Sequence, residues 1–476
     1  MKIIKRWVKR ILFVALLYVV YVFSIAVLFY SVYQPALGER HEPITPTFFG
    51  ESIGVDRVML VEERMFSAIT RLQMIEAAEE SIQIAYYAVH QGLSSDLFYG
   101  ALFEAAERGV LIELLLDGVF HNFYGDERIT FEALSQHPNI TIRFYEPIHW
   151  LKPWTFNNRL HDKFILVDGL YAMIGGRNIG DQYFLESYEG GLVKDRDVLI
   201  LNTDEPSSTH SVLSSFEQYF ETLFDHAYVR ERTFRLSSRR SRQVDERTQF
   251  LMRQLAVVRE EFPYYFEDDF DWMSDSLPTQ KVTFIHNPLR RLPHEPEVLW
   301  TLGQLMREAQ TSVWLQSPYI IPSRAMRQTF NLEVEAEVYG LTNSFSSSPN
   351  LLAMAGYWKH RDRVAQEIDY LYEYQGPGSI HAKSYLIDGR LSLVGSFNLD
   401  ARSAFLSTES VVVIDSEPFA TLLGEKMMAL VEDSHPVDVP GPMWPEFLET
   451  PQRTPWQKLL IIRLLGVMFY PFDALL

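Results

Sequence analysis

The sequence predicts an α/β protein of two pseudo-symmetric repeats, each with a mixed sheet flanked by helices, plus an N-terminal transmembrane helix. Three observations support this prediction. Residues 161–178 and 381–398 share the pattern H-x-K-x4-D-x6-G-[GS]-x-N. Each half alternates strand-like apolar runs with helical patterns, which is typical of a sheet covered by helices. The chain begins with a basic segment and a long uncharged apolar run.

The N-terminal run is long enough to span a membrane. Residues 11–33 form a stretch of 23 residues without a charge, or about 35 Å of helix against a hydrocarbon core of about 30 Å. A cleaved signal peptide usually has a shorter apolar region and an A-x-A-like site, and residues 31–35 contain no such site. Because the first ten residues carry five lysines and arginines, we predict a single-pass anchor with the bulk of the protein on the extracytoplasmic side.

The composition excludes several classes of protein. The 476-residue chain has a formal net charge of −19 and no long basic run beyond its N-terminus, so nucleic acid is not an expected partner. The absence of cysteine excludes disulfides, thiolate catalysis and cysteine-based zinc sites. The 13 histidines show no H-E-x-x-H spacing, and we expect no metal and no other cofactor.

The two halves repeat one order of elements. In the first, strand-like runs at 81–87 and 110–117 enclose a helical pattern at 94–108, which predicts a βαβ unit and a parallel or mixed sheet. In the second, a strand at 312–317 is followed by further elements and a helical stretch at 364–374. A repeat of this kind indicates two similar domains.

These patterns divide the chain into five parts. We predict an anchor (1–36), a first α/β domain (37–227), a partly helical connector (228–280), a second α/β domain (281–436) and an apolar C-terminal segment (437–476). The arginines of the connector either pack on the protein surface or meet anionic lipid headgroups. The C-terminal segment fits either an interfacial membrane helix or a helix docked on the core.

The repeated motif suggests phosphodiester chemistry. Because strand side chains alternate between faces, the histidine and the lysine of each motif point the same way. Phosphoryl transfer needs a nucleophile, an acid for the leaving oxygen and positive charge around the phosphoryl oxygens. Two histidines would supply the first two functions, and lysines and asparagines the third. The candidate catalytic residues are His161, Lys163, Asn178, His381, Lys383 and Asn398.

The remaining motif positions have other predicted roles. Asp168 and Asp388 fall on the opposite strand face, each next to a glycine, where aspartate bonds to local backbone. We therefore predict that both are structural. Gly176 and Ser396 are small, and we predict that they allow the backbone to approach the phosphate.

The doubled motif resembles the phospholipase D superfamily, and its context at 160–163 and 175–181 resembles the bacterial cardiolipin synthase branch. The resemblance covers residues 55–435 and implies two phospholipase D-like domains. It implies that His161 is the nucleophile and His381 the acid and base, whereas the residues alone leave this order open. It also implies that carboxylates of the opposite half orient the histidines.

The positions that match these carboxylates are Glu409, which we pair with His161, and Asp197, which we pair with His381. Such a partner fixes the tautomer and the basicity of an imidazole. Asp195 is the alternative to Asp197, which would then be a solvated strand end.

The resemblance implies a phosphatidyltransferase of cardiolipin synthase type in a bacterial cell membrane. A phosphatidyl group would pass from phosphatidylglycerol, through a phosphohistidine intermediate, to the alcohol of an acceptor lipid. The alternatives are hydrolysis of phospholipid or, less in keeping with the acidic chain, of nucleic acid, and a non-enzymatic membrane scaffold. The expected partners are phospholipid substrates and the membrane, with no obligate protein partner.

Overall fold

The computed structural model describes residues 2–32, 44–266, 271–437, 453–469, 472 and 475. Outside these ranges lie the predicted end of the anchor and start of the first domain at 33–43, part of the connector at 267–270, and, of the predicted C-terminal segment, residues 438–452, 470, 471, 473, 474 and 476. The described chain forms a mixed α/β structure with two large sheets, as predicted.

The N-terminal segment is one continuous helical rod. It comprises α1 (Lys2–Phe23), a π-helical segment (Ser24–Phe29) and α2 (Tyr30–Val32), and a short α3 (Thr45–Phe48) follows later in the chain. The part from Ile4 to Val32 is long and apolar enough to cross a membrane, and its most apolar window is almost entirely exposed. At its end Tyr30 is buried in the body of the protein, where its hydroxyl donates to the carbonyl of Arg291 at 2.6 Å.

The first sheet is built from the first half of the chain. Its elements are β1 (Asp56–Val61), α4 (Arg64–Ala77), β2 (Ser81–Tyr86), α5 (Leu93–Glu107), β3 (Leu111–Asp117), α6 (Arg128–Leu134), β4 (Ile140–Tyr145), β5 (Arg159–Leu160), β6 (Lys163–Val167), β7 (Tyr171–Gly175), α7 (Asp181–Phe184), β8 (Val193–Lys194), β9 (Asp197–Asn202), α8 (Leu213–Phe224) and β10 (Val229–Glu231). After α9 (Ser238–Glu261) and α10 (Trp272–Asp275), β11 (Leu277–Pro278) adds a last strand. The strand order is β10-β4-β3-β2-β6-β7-β9-β1-β11.

The second sheet repeats the first. Its elements are β12 (Lys281–His286), α11 (Glu297–Glu308), β13 (Ser312–Gln316), β14 (Glu337–Asn343), α12 (Leu351–Glu367), β15 (Tyr370–Tyr374), β16 (Ser379–Ile380), β17 (Ser384–Ile387), β18 (Leu391–Gly395), α13 (Ala401–Phe405), β19 (Ser407–Thr408), β20 (Ser410–Asp415), α14 (Glu417–Glu432) and β21 (Ser434–Val437). The order β21-β15-β14-β13-β17-β18-β20-β12 matches the first sheet strand for strand, apart from β11. The predicted helix at 364–374 is wrong in its second part, because Tyr370–Tyr374 pairs in parallel with β14.

Two short strand pairs join the halves. β5 pairs in parallel with β19, and β16 pairs in parallel with β8. Since β5 and β16 are equivalent, as are β8 and β19, the two pairs are related by the pseudo-symmetry of the repeat. Each pair carries the residue before a motif histidine, so the halves meet where the two motifs begin.

The connector helix α9 packs on α5 and α6 of the first half. Three of its arginines make ion pairs there: Arg240 with Glu132, Arg247 with Asp96, and Arg259 with Glu104. These three arginines therefore hold the connector helix against the surface of the first half.

The C-terminal helix α15 (Trp456–Met468) packs on α12, and Ile462 is fully buried between them. A side chain at Gly466 would collide with the ring of Trp358, so glycine allows this close contact. The opposite face of α15 leaves Trp456, Leu464 and Val467 exposed.

Candidate active site

The strand pairs that join the halves bring each motif histidine to a carboxylate of the other half. His161 follows β5 and lies beside Glu409, which follows β19. His381 follows β16 and lies beside Asp195, which follows β8. The site is therefore formed by both repeats.

At the first histidine, the Nδ1 of His161 lies 2.9 Å from Oε1 of Glu409. The backbone N–H of His161 donates to Oγ1 of Thr408 at 3.0 Å, and that hydroxyl in turn donates to the buried carboxylate of Asp162. A partner on Nδ1 leaves Nε2 as the free ring nitrogen. The Glu409 pairing that the resemblance implies is thus present as a direct hydrogen bond.

At the second histidine, the prediction that Asp197 is the partner is wrong. The Nδ1 of His381 lies 2.6 Å from Oδ2 of Asp195. The carboxylate of Asp197 instead lies 2.8 Å from Arg177 and 3.0 Å from Arg71, and all three side chains are buried. Asp197 is therefore part of a buried ionic cluster.

The sheet register explains the error. Gly175 pairs with Asp197 on β9, and the equivalent Gly395 pairs with Val411 on β20. Asp197 is therefore the counterpart of Val411, and Asp195 is the counterpart of Glu409. Two carboxylates two residues apart looked equivalent in the sequence, and only the strand register separates them.

Gly176 and Ser396, predicted to lie near the phosphate, contact these carboxylates, and their proximity to a phosphate stays a prediction. The hydroxyl of Ser396 donates to Oε2 of Glu409 at 2.5 Å. A side chain at Gly176 would lie 2.2 Å from Oδ1 of Asp195. The longer glutamate is held by a serine, and the shorter aspartate occupies the space that a side chain at position 176 would need.

Asp168 and Asp388 are the first residues of equivalent three-residue connections, 168–170 and 388–390, and each is followed by a glycine. Both adopt positive φ, 53° for Asp168 and 52° for Asp388, which aspartate tolerates in turns. Asp168 accepts hydrogen bonds from the backbone of residues 79–81, and Asp388 from the backbone of residues 310–312. Both carboxylates therefore fix the turn of a motif hairpin against the start of the neighbouring strand.

Both motif lysines are buried beside the histidines. Lys163 Nζ donates to the carbonyl of His161 at 2.6 Å, and Lys383 Nζ lies 2.8 Å from Nδ1 of His381. Burial, together with the charge of Lys383, lowers the pKa of Lys163 to about 7. Burial lowers the pKa of Lys383 to about 8, although Asp195 opposes the shift. The two ammonium groups repel each other, and an anion between them would relieve that repulsion.

The two histidines differ in the charge of their partners. Burial, followed by the charges of Lys163 and Lys383, lowers the pKa of His161 well below its usual value. Burial raises the pKa of Glu409. Burial alone would raise the pKa of Asp195, but His381 and Lys383 outweigh it and lower that pKa. Burial and the charge of Lys383 also lower the pKa of His381, to about 4, although Asp195 opposes the shift. Both imidazoles are therefore neutral, and only His381 has an ionised carboxylate that opposes the loss of its proton.

Asn178 and Asn398 occupy equivalent buried positions. Among the described residues, neither amide oxygen has a hydrogen-bond partner. The amide nitrogen of Asn178 donates to the hydroxyl of Tyr183 at 3.2 Å. That hydroxyl can also donate, so reversal of the amide would keep the bond and free two N–H donors.

Sequence reasoning missed two aromatic neighbours of the histidines. The ring of Tyr87 lies 5.1 Å from that of His161, and the ring of Tyr183 lies 5.8 Å from that of His381. The signal for Tyr87 was present, because it directly follows Tyr86, the register partner of Lys163. Within the part of the chain that the structure describes, no cluster of three metal-ligating side chains occurs.

Comparison with known proteins identifies relatives of this arrangement. The family described as "Cardiolipin synthase, PLD-like domain" matches residues 72–223 and 302–431, more than half of the chain. Cardiolipin synthase C of Escherichia coli is 27% identical over 409 residues, which cover 77% of this chain and 83% of that protein. Cardiolipin synthase 1 of Bacillus cereus is 25% identical over 79% of this chain and 68% of its own length.

Among solved structures, phosphatidylserine synthase of Haemophilus influenzae has a similar fold. Its TM-score is 0.60 at 14% identity, with 88% of this chain and 95% of that chain covered. At this level of identity the likeness concerns the fold.

Proposed function

Because the chain belongs to the cardiolipin synthase, phospholipase D-like domain family, and is an enzyme of the phospholipase D type, we propose that it transfers a phosphatidyl group to the alcohol of an acceptor lipid. The observation that carries this proposal is the pair of histidine–carboxylate hydrogen bonds made between the two halves, 2.9 Å at His161 and 2.6 Å at His381. Two oriented imidazoles on one site are what a two-step displacement at phosphorus needs.

In the first step, Nε2 of His161 attacks phosphorus. A phosphorus–nitrogen bond forms and the bond from phosphorus to the headgroup oxygen breaks. Protonated His381 donates its proton to the departing alkoxide. The incoming phosphodiester carries a negative charge, which offsets Lys383 and favours the protonated form of His381.

In the second step, an acceptor hydroxyl gives its proton to His381 and its oxygen attacks phosphorus. The phosphorus–nitrogen bond breaks, and His161 returns to its neutral form. Lys163 and Lys383 balance the charge on the phosphoryl oxygens, and the free amide N–H groups of Asn178 donate to one of them. Glu409 and Asp195 are positioning residues, because each holds the Nδ1 side of its imidazole.

The ion state of the carboxylates supports this assignment of roles. Burial lowers the pKa of both histidines, so the partner carboxylates, and not the imidazoles, distinguish the two sides. An acid and base must carry a proton for part of each cycle, which the ionised Asp195 beside His381 favours. We therefore assign His161 as the nucleophile.

The substrates we propose are phosphatidylglycerol as donor and a second lipid alcohol as acceptor, on the strength of the cardiolipin synthase relatives. The test uses purified protein in vesicles with labelled phosphatidylglycerol and mass spectrometry of the products. We expect cardiolipin and free glycerol, both lost in His161→Ala and His381→Ala and retained in His210→Ala, whose side chain is exposed. Phosphatidic acid in place of cardiolipin would contradict transfer and indicate hydrolysis.

We further propose that the N-terminal helix anchors the chain, with the catalytic halves on the extracytoplasmic side. The loop that follows β4 lies against this helix: Tyr18 and Tyr21 donate to the carbonyls of Trp150 and Leu151. The side chains of Trp150 and Leu151 are each 70% exposed. Exposed apolar side chains beside an apolar helix suit contact with a bilayer, and the exposed face of α15 suits it as well.

The membrane-facing surface is testable because the chain has no cysteine. A spin label on Trp150→Cys should be relaxed by oxygen dissolved in the bilayer, and a label on Val257→Cys, exposed on α9, should not. Equal behaviour of the two labels in vesicles would contradict the proposed surface.

A further inference from the structure

A large cavity opens beside one of the two histidines. Its volume is about 730 Å³, and among the residues that the structure describes its wall includes His381 but not His161. Residues of both halves line it, and a ligand in this cavity would contact His381 directly.

The wall of this cavity is rich in neutral hydrogen-bonding groups. Ser346, Ser347, Ser348, Asn343 and Tyr319 contribute hydroxyl and amide groups. Within the described part of the chain, no carboxylate, lysine or arginine lines the cavity. A cationic headgroup would find no counter-charge here, whereas a neutral polyol would find both donors and acceptors.

The turn at residues 344–348, which we call the serine turn, is held in place from two sides. Asn343 connects it to the strand before His381: its amide donates to the carbonyl of Ile380 at 2.7 Å, and its oxygen accepts from the backbone of Ile380 at 2.9 Å and from the Ser347 hydroxyl at 3.2 Å. From the other side, Lys458 of α15 donates to the carbonyls of Ser346 and Ser348 at 3.0 and 2.8 Å. A polar group on a supported turn is preorganised for a ligand.

The equivalent turn of the first half has a different character. It follows β3 as the serine turn follows β14, and it presents Phe120, which is 42% exposed. The Phe120 ring lies 4.8 Å from that of Tyr87, which contacts His161. A tyrosine ring lies beside each histidine, but the turn after β3 adds a phenylalanine on the His161 side, whereas the turn after β14 adds serines on the His381 side.

We propose that the cavity beside His381 binds the neutral polyol of a phospholipid headgroup, first as the leaving alcohol and then as the acceptor alcohol. The proposal rests on the proposed function, in which His381 gives a proton to one alcohol and takes a proton from the next. Both alcohols must therefore reach His381 in turn. The diacylglycerol part stays on phosphorus, on the His161 side.

The test measures headgroup exchange, with isotope-labelled glycerol as the probe and phosphatidylglycerol as the donor. Ser347→Ala should raise the KM for glycerol about tenfold with a smaller change in kcat, because a hydrogen-bonding group of the cavity wall is lost. Ser346→Leu should raise it further by filling the cavity. The matched control is Ser135→Ala, a half-buried serine at the end of α6, which should leave the KM unchanged.

A second comparison tests the neutral character of the ligand. Labelled ethanolamine should be a poor acceptor for the wild-type chain, and Ser347→Asp should shift the ratio of glycerol to ethanolamine incorporation toward the amine. Wild-type exchange with an unchanged KM in both serine variants would overturn the assignment of the cavity alone. A wild-type chain that releases phosphatidic acid and incorporates no glycerol would instead overturn the transfer function.

Discussion

The two halves have the same strand order but surround their motif histidines with different side chains. Each histidine lies beside a tyrosine ring, but His161 pairs with a glutamate that a serine hydroxyl holds. His381 lies beside an aspartate that fits against a glycine, and faces a cavity lined by hydroxyl groups. The comparison suggests how a duplicated domain acquires two chemical roles: the imidazole is kept in both copies, and its surroundings diverge. The predictions below test that divergence.

The largest expected difference concerns the leaving group. His381→Ala should lower transfer from phosphatidylglycerol by about 10²–10⁴-fold, the usual contribution of general acid–base catalysis. With a donor whose leaving group is p-nitrophenol, which needs no acid, the variant should still release a burst of nitrophenol. His161→Ala should release no such burst from the p-nitrophenyl donor, and should not transfer the phosphatidyl group of phosphatidylglycerol. A burst in His161→Ala and none in His381→Ala would reverse the assignment.

The next prediction separates the two neighbouring aspartates. Asp197→Asn leaves Arg71 and Arg177 buried without their carboxylate, so it should destabilise the fold by about 3–5 kcal/mol. Asp195→Asn should lower activity with a smaller effect on stability, because the main partner of Asp195 is the His381 side chain, which is partly exposed. Thermal unfolding and transfer assays on both variants check this, and an equal loss of stability would contradict it.

A smaller effect is expected from the residues that hold the carboxylates. Gly176→Ala should displace Asp195 and lower activity about 10–100-fold, as is usual when the partner of a functional histidine moves. Ser396→Ala removes one hydrogen bond to Glu409 and should lower activity less than Gly176→Ala does. Matched unfolding temperatures are the control; equal losses of kcat/KM would show that the two sides are supported in the same way.

The smallest effect concerns pH. Lysine ordinarily keeps its charge to about pH 10, but the pKa values of Lys163 and Lys383 are lowered to about 7 and about 8. Loss of these protons removes positive charge, so kcat/KM should fall as the pH rises through this range. Arginine does not deprotonate, so Lys383→Arg should lower the rate but flatten its decline above pH 8. An unchanged alkaline limb would contradict the role of the lysine charge.

Much of this architecture follows from the sequence. The repeated motif predicts two similar α/β halves, and the motif residues give both histidine–lysine pairs. The turn position of Asp168 and Asp388 predicts their structural role from the glycine that follows each. The division into domains at the predicted boundaries remains a prediction.

The errors have a common physical cause. Asp195 and Asp197 are separated by two residues, and only the pairing of Gly175 with Asp197 in the sheet tells them apart. The strand Tyr370–Tyr374 was predicted as helix because local pattern does not report its parallel pairing with β14. Features that depend on contacts across strands or between halves are the ones that local sequence does not reveal.

The central claim is that the two histidines have different roles, with His161 as the nucleophile. The most direct measurement incubates His381→Ala with the p-nitrophenyl donor, quenches the reaction, and locates the covalent adduct by peptide mass spectrometry. We expect one phosphatidyl group on the peptide that contains His161, and none on the same peptide from His161→Ala. A phosphatidyl group on His381 of the His161→Ala variant, or a burst without any adduct, would contradict the account.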